Sequence, residues 1–94
     1  MTGQQLPVAK YKAGQVSSAI WKDEIRTQRG PVPIYRVTVQ RRYKDKNGEW
    51  RSSGSFNRNE IPLVKYCLDK AYDKIIDLQN EDSGNGNNVE EITI

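Results

Sequence analysis

The sequence predicts an α+β protein: an antiparallel β-sheet of three to four strands followed by one long C-terminal helix. Two observations carry this. Apolar and polar residues alternate in steps of two between about Ala13 and Phe56, and from Ile61 the period becomes helical. Within the alternating part stands Asn47-Gly48, the strongest short-range hairpin signal, because both central positions of such a turn need positive φ.

Residues 1–12 show no strong periodicity and are expected to form a flexible arm. A first strand is expected from about Ala13 to Lys22. Burying Val16 and Ile20 on one side of it turns Trp21 to the polar side. Asp23 to Val32 is charged and ends at Gly30-Pro31-Val32-Pro33, which reads as a long loop or an irregular strand end. A fourth strand would have to come from Val8 to Lys12 or from the Ile25 region.

The central hairpin follows. Tyr35, Val37, Val39 and Tyr43 share one face of its first strand; Arg36, Thr38, Gln40, Arg42 and Lys44 share the other. On its second strand Phe56 should point inward with Trp50, which sets Arg51, Ser53 and Ser55 beside Arg36, Gln40 and Arg42. Gly54 marks a bulge, a bend or a close backbone approach.

The helix is signalled by Ile61, Val64, Cys67, Leu68, Ala71, Tyr72, Ile75, Ile76 and Leu78. Asn57 or Asn59 can cap it, Pro62 suits its first turn and Glu60 suits the positive end of its dipole. One row, Val64, Leu68, Ala71, Ile75 and Leu78, is enough to cover a small sheet. A second row, Ile61, Cys67, Tyr72 and Ile76, wants another cover. A structured body of roughly 65 residues is marginal for one core, so a homodimer is expected, with Val64, Cys67, Leu68, Tyr72 and Ile76 at its interface. The alternative is a monomer in which the first strand or the arm wraps over the second row.

Ninety-four residues fit one domain, spanning 13–78 between the arm and a low-complexity acidic tail at 79–94 that should be disordered. There is no histidine and one cysteine, so the commonest general base is missing and structural zinc sites fail on ligand count. No carboxylate pair lies in an apolar setting. The residues argue against an enzyme and call for no cofactor or metal. No apolar run is long enough to span a membrane and the start lacks a signal-peptide pattern, so a cytoplasmic protein is expected.

The net charge of +3 conceals a split: residues 1–78 carry +7 and residues 79–94 carry −4. A basic body suits a polyanion. The candidates for phosphate and base contacts are Arg36, Gln40, Arg42 and Arg51, because a guanidinium offers a planar donor fork and also stacks on bases. Trp21 and Tyr43 are the candidate stacking platforms. The bland alternative is a solvated strand face with aromatics that simply pack.

From Tyr35-Arg-Val-Thr-Val-Gln-Arg-Arg-Tyr-Lys-Asp-Lys-Asn-Gly-Glu-Trp-Arg through Ser55-Phe56-Asn57 and the helix, the chain resembles the single-stranded-DNA-binding domain of transcriptional coactivator PC4 and its bacterial relatives. Tyr43 stands at that family's aromatic before the turn, Asp45, Gly48 and Glu49 match its turn, and Ser55-Phe56-Asn57 matches the start of its helix. The resemblance covers about residues 14–78. It departs where that family has a basic residue near the glycine of the third strand, since this chain has Ser52, Ser53 and Gly54. The resemblance implies a helix-paired dimer whose curved sheets hold unpaired strands.

The expected function is single-stranded DNA binding with little sequence preference, in replication, recombination or transcription. RNA on the same fold is one alternative. A protein-interaction module using the helix face and the acidic tail, which would then have its own protein partner, is another.

Overall fold

The structure, a computed structural model, describes residues 5–82. Its elements are β1 (Ala9–Ala13), β2 (Val16–Thr27), β3 (Gly30–Lys44), β4 (Trp50–Ser53), a 3-10 turn (Arg58–Glu60) and helix α1 (Ile61–Asp82). The strands form one antiparallel sheet in the order β1-β2-β3-β4, and α1 packs on one face of it against β1, β2 and β3. The α+β architecture expected from the sequence is the one observed. With the helix on one side and, among the described residues, no second layer on the other, the shape is a flat slab of 52 × 37 × 17 Å.

Local chemistry explains the turns. Gly14, at φ +60°, takes the first position of the two-residue turn between Ala13 and Val16, where primed hairpin turns need glycine. Ala9–Ala13 thus belongs to the sheet rather than to a flexible arm, and supplies the fourth strand. The first expected strand runs on as well: β2 continues to Thr27, and β3 begins at Gly30. Asp23 to Val32 is therefore the far half of a long hairpin and not a loop. Its turn closes where Thr27 Oγ1 donates to the Gly30 carbonyl (2.7 Å) and accepts from the Arg29 N–H (3.1 Å). Pro31 and Pro33 are tolerated because, among the described residues, β3 is flanked there by β2 alone, leaving an edge that needs no N–H donor.

The Asn47-Gly48 turn is one residue longer than the tight form. The Asp45 N–H donates to the Glu49 carbonyl (2.9 Å), the Gly48 N–H donates to the Asp45 carbonyl (3.0 Å), and Gly48 sits at φ +78°. This is a turn followed by a left-handed residue, the three-residue hairpin loop. Asp45 holds it with its side chain: Oδ1 accepts from the Asn47 and Glu49 N–H groups, and Oδ2 from Arg51 Nε at 2.8 Å. The Arg51 guanidinium, followed by those backbone donors, keeps the Asp45 carboxyl below its ordinary range.

The core lies between α1 and β2. Val16, Ile20 and Cys67 are fully buried, and Ala71 nearly so. Asn57 caps the helical segment through a capping box with Glu60, as the sequence allows. The helix comes close to the sheet because Ser18 Oγ donates to the Cys67 carbonyl at 3.0 Å. Only small residues fit at that approach, which is why Cys67 and Ala71 face β2. The sheet-facing row is therefore Val64, Cys67, Ala71, Ile75 and Leu78. Cys67 and Leu68 exchange the rows expected for them: Leu68 is exposed, and of the five residues expected at a dimer interface Val64 and Cys67 turn to the sheet instead. Ile61, Leu68, Tyr72 and Ile76 form the outward apolar stripe.

Residues 79–82, expected in the tail, are helical. Asp82 accepts a hydrogen bond from the Tyr35 hydroxyl and lies 3.9 Å from Lys22 Nζ, tying the end of α1 to the base of the long hairpin. That bond, with burial and the Asp82 and Glu81 charges behind it, pushes the Tyr35 phenol up to about 12. The rest of the expected tail lies outside the described residues. Among the described residues no helix is long and apolar enough to cross a membrane.

Candidate nucleic-acid interface

Because strand side chains alternate, the helix on one face of the sheet defines what the other face carries. The register aligns Lys10 with Ala19 and Ala19 with Thr38; Lys12 with Ser17 and Ser17 with Gln40; and Trp21 with Arg36. On the far side Arg42 aligns with Ser52 and Lys44 with Trp50. Lys10, Lys12, Arg36, Arg42 and Lys44 thus share an open face with two tryptophans, Trp21 and Trp50.

Trp21 is the anchored one. Its Nε1–H donates to Thr38 Oγ1 at 2.9 Å, and the Arg36 guanidinium lies 5.7 Å from its ring centre. Arg36 is itself positioned by Asp23, whose Oδ2 accepts from Nε at 2.9 Å. The Arg36 hydrogen bond holds the Asp23 carboxyl below its ordinary range, and Asp23 in return raises the guanidinium. The arrangement engages Nε and leaves the two terminal nitrogens of the fork for an anion. Trp50 is 55% exposed, with Arg42 at 5.6 Å and Lys44 Nζ at 5.5 Å from its ring. Neither Lys10, Lys12 nor Arg42 enters an ion pair among the described residues.

Of the residues expected in the site, Trp21, Arg36, Gln40 and Arg42 meet on this face. Arg51 and Tyr43 do not. They align with each other on the helix side of the sheet, where Arg51 pairs with Asp45 and Glu49. The Arg41 guanidinium covers the Tyr43 ring at 4.9 Å, and Arg41 is held by the Ser55 carbonyl (2.8 Å) and Glu60 (3.4 Å). The cause is the longer loop. With Lys44 opposite Trp50 the register is one residue off that of a two-residue Asn-Gly turn, and a one-residue shift moves a whole strand to the other face. The chain also bends at Gly54, so alternation traced back from Phe56 does not reach β4.

Trp50, Lys10 and Lys12 are the residues that sequence reasoning missed. The alternation Ala9-Lys10-Tyr11-Lys12-Ala13 before Gly14 was the available signal for the two lysines.

Fold and site together define a class: a small α+β domain with a helix-covered sheet face and an open face that is basic and tryptophan-bearing. Comparison with family models, curated proteins and solved structures finds no match for the chain.

Proposed function

We propose that the open face binds single-stranded DNA with little sequence preference, as a PC4-like domain would, and that the protein is a cytoplasmic binding protein rather than an enzyme, serving replication, recombination or transcription. The observation that carries this is Trp21, anchored by Thr38 and set beside Arg36 on a face that continues past Lys10 and Lys12 to Arg42. An aromatic platform within a basic track suits unpaired bases, since stacking needs an exposed base face and tolerates any base. The bases in a duplex are already stacked and offer no such face.

Fluorescence anisotropy of a labelled oligo-dT and its duplex tests this. The single strand should bind more tightly, with tryptophan emission quenched. Its affinity should fall with a log–log salt slope of about −3, since each neutralised phosphate of a single strand contributes roughly −0.7. Equal affinity for the duplex, or affinity indifferent to salt, would reject the reading. A matched RNA strand that outcompetes the DNA would reassign the ligand, because only RNA presents a 2′-OH.

The stripe of Ile61, Leu68, Tyr72 and Ile76 supports a second part of the proposal, a homodimer paired through α1. Tyr72 is 65% exposed and Leu68 43%. Lys65 lies within the stripe and Asp69 beside it, so a two-fold that pairs the helices antiparallel sets Lys65 of one protomer against Asp69 of its partner. Sedimentation should give twice the chain mass for the wild type and the chain mass for Tyr72→Asp. A wild type that sediments as a monomer at tens of micromolar would exclude the dimer.

A further inference from the structure

The open face is not flat. Ser17 and Ala19 place small side chains at its centre, while longer ones surround them. The result is a groove of about 260 Å³ lined by Lys10, Ser17, Ala19, Trp21, Thr38 and Gln40, to which Pro7 also contributes. Its charge is confined to Lys10; Arg36 and Arg42 stand outside it. A phosphate would gain little by entering and more by staying beside the arginines.

We propose that this groove is a nucleobase subsite, which takes one unstacked base of the bound strand against Trp21 while a phosphate beside that base remains on Arg36. The inference rests on the single-strand reading above and deepens it. The lining has the polarity a base edge needs. Gln40 brings an amide that both donates and accepts, Ser17 a hydroxyl that does the same, and Lys10 a donor. Thr38 Oγ1 already accepts from the indole, so its own proton is directed elsewhere. Donors and acceptors together serve the edge of any base, so the subsite selects for the presence of a base rather than for its identity.

Filling the groove and removing the amide test this separately from charge. Ala19→Leu occupies the floor, and Gln40→Ala changes an exposed residue outside the core. Each is titrated with an oligo-dT and with an abasic deoxyribose-phosphate strand of equal length, and thermal melting confirms the fold. The subsite predicts that both variants bind oligo-dT about tenfold more weakly, the loss of one base contact, and bind the abasic strand as the wild type does. Wild-type affinity for oligo-dT in Gln40→Ala and in a folded Ala19→Leu would overturn the subsite and leave the open-face reading intact. So would equal weakening towards both strands. A wild type that fails to bind oligo-dT at low salt would overturn the open-face reading itself.

Discussion

Trp21→Ala should weaken binding to an oligo-dT by roughly five- to a hundredfold, because one base–aromatic stack contributes about 1–3 kcal/mol. The variant also frees Thr38 Oγ1, which accepts the indole hydrogen bond at 2.9 Å, and removes the ring beside Arg36. Trp21→Phe separates these effects, since it keeps a stacking ring, though a smaller one, and loses the hydrogen bond. It should recover most of the affinity. Tyr43→Ala is the matched control. Its ring lies on the helix side of the sheet under Arg41, so oligo-dT binding should not change. Anisotropy titrations at one low salt concentration compare all three. Wild-type affinity in Trp21→Ala would remove the stacking platform from the account, and a large loss in Tyr43→Ala would place the strand on the wrong face of the sheet.

Ile20→Ala should lower folding stability by about 3 kcal/mol, within the usual range of roughly 2–5 for truncating a buried isoleucine. Ile20 is fully buried where β2 meets β1, β3 and the helix, aligned with Ala9 on one side and Val37 on the other. Few large apolar side chains among the described residues are as deeply buried, so the cavity has little nearby mass to collapse into it. For a domain of this size the loss corresponds to a fall in Tm of about 15 °C. Urea unfolding should show a lower midpoint with the same slope, as expected when stability changes and the exposed area does not. A loss below about 1 kcal/mol would mean that the core lies elsewhere than between β2 and α1.

Trp21 and Ile20 lie on opposite sides of a single strand, and the alternation of β2 alone makes that division legible. Val16 and Ile20 share a parity that Trp21 does not, so burying the first two turns the third to the other side, and the fold has Trp21, half-buried, on the open face. The same reasoning places Arg36, Gln40 and Arg42 correctly, because a long alternating run leaves little freedom of register. It misplaces Arg51 and Tyr43 because β4 is short and its parity depends on a loop length. Asp45 sets that length through bonds from its carboxylate to two backbone N–H groups and to Arg51. Nothing in the alternation of β4 registers those bonds.

The helix shows the same limit. Its period and its Asn57–Glu60 cap are readable from local chemistry, since capping needs only neighbouring residues. Which of Cys67 and Leu68 faces the sheet is not, because the apolar arc is wider than one packed face, with Cys67 at one edge of it and Leu68 near its middle. Ser18 Oγ, distant in sequence, draws the Cys67 carbonyl to 3.0 Å, and at that distance the smaller side chain goes inward.

By itself the sequence determined the class of fold, the basic character of the body and the polar face of the central strands. These follow from periodicity and composition, which each segment carries within itself. Tertiary structure alone decided that Ala9–Ala13 pairs with β2, that Trp50 joins the open face in place of Arg51, and that Cys67 rather than Leu68 lies beneath the sheet. Each depends on a contact between residues far apart in the chain or on a one-residue register, and a strand whose side chains repeat every second residue turns that one residue into a change of face.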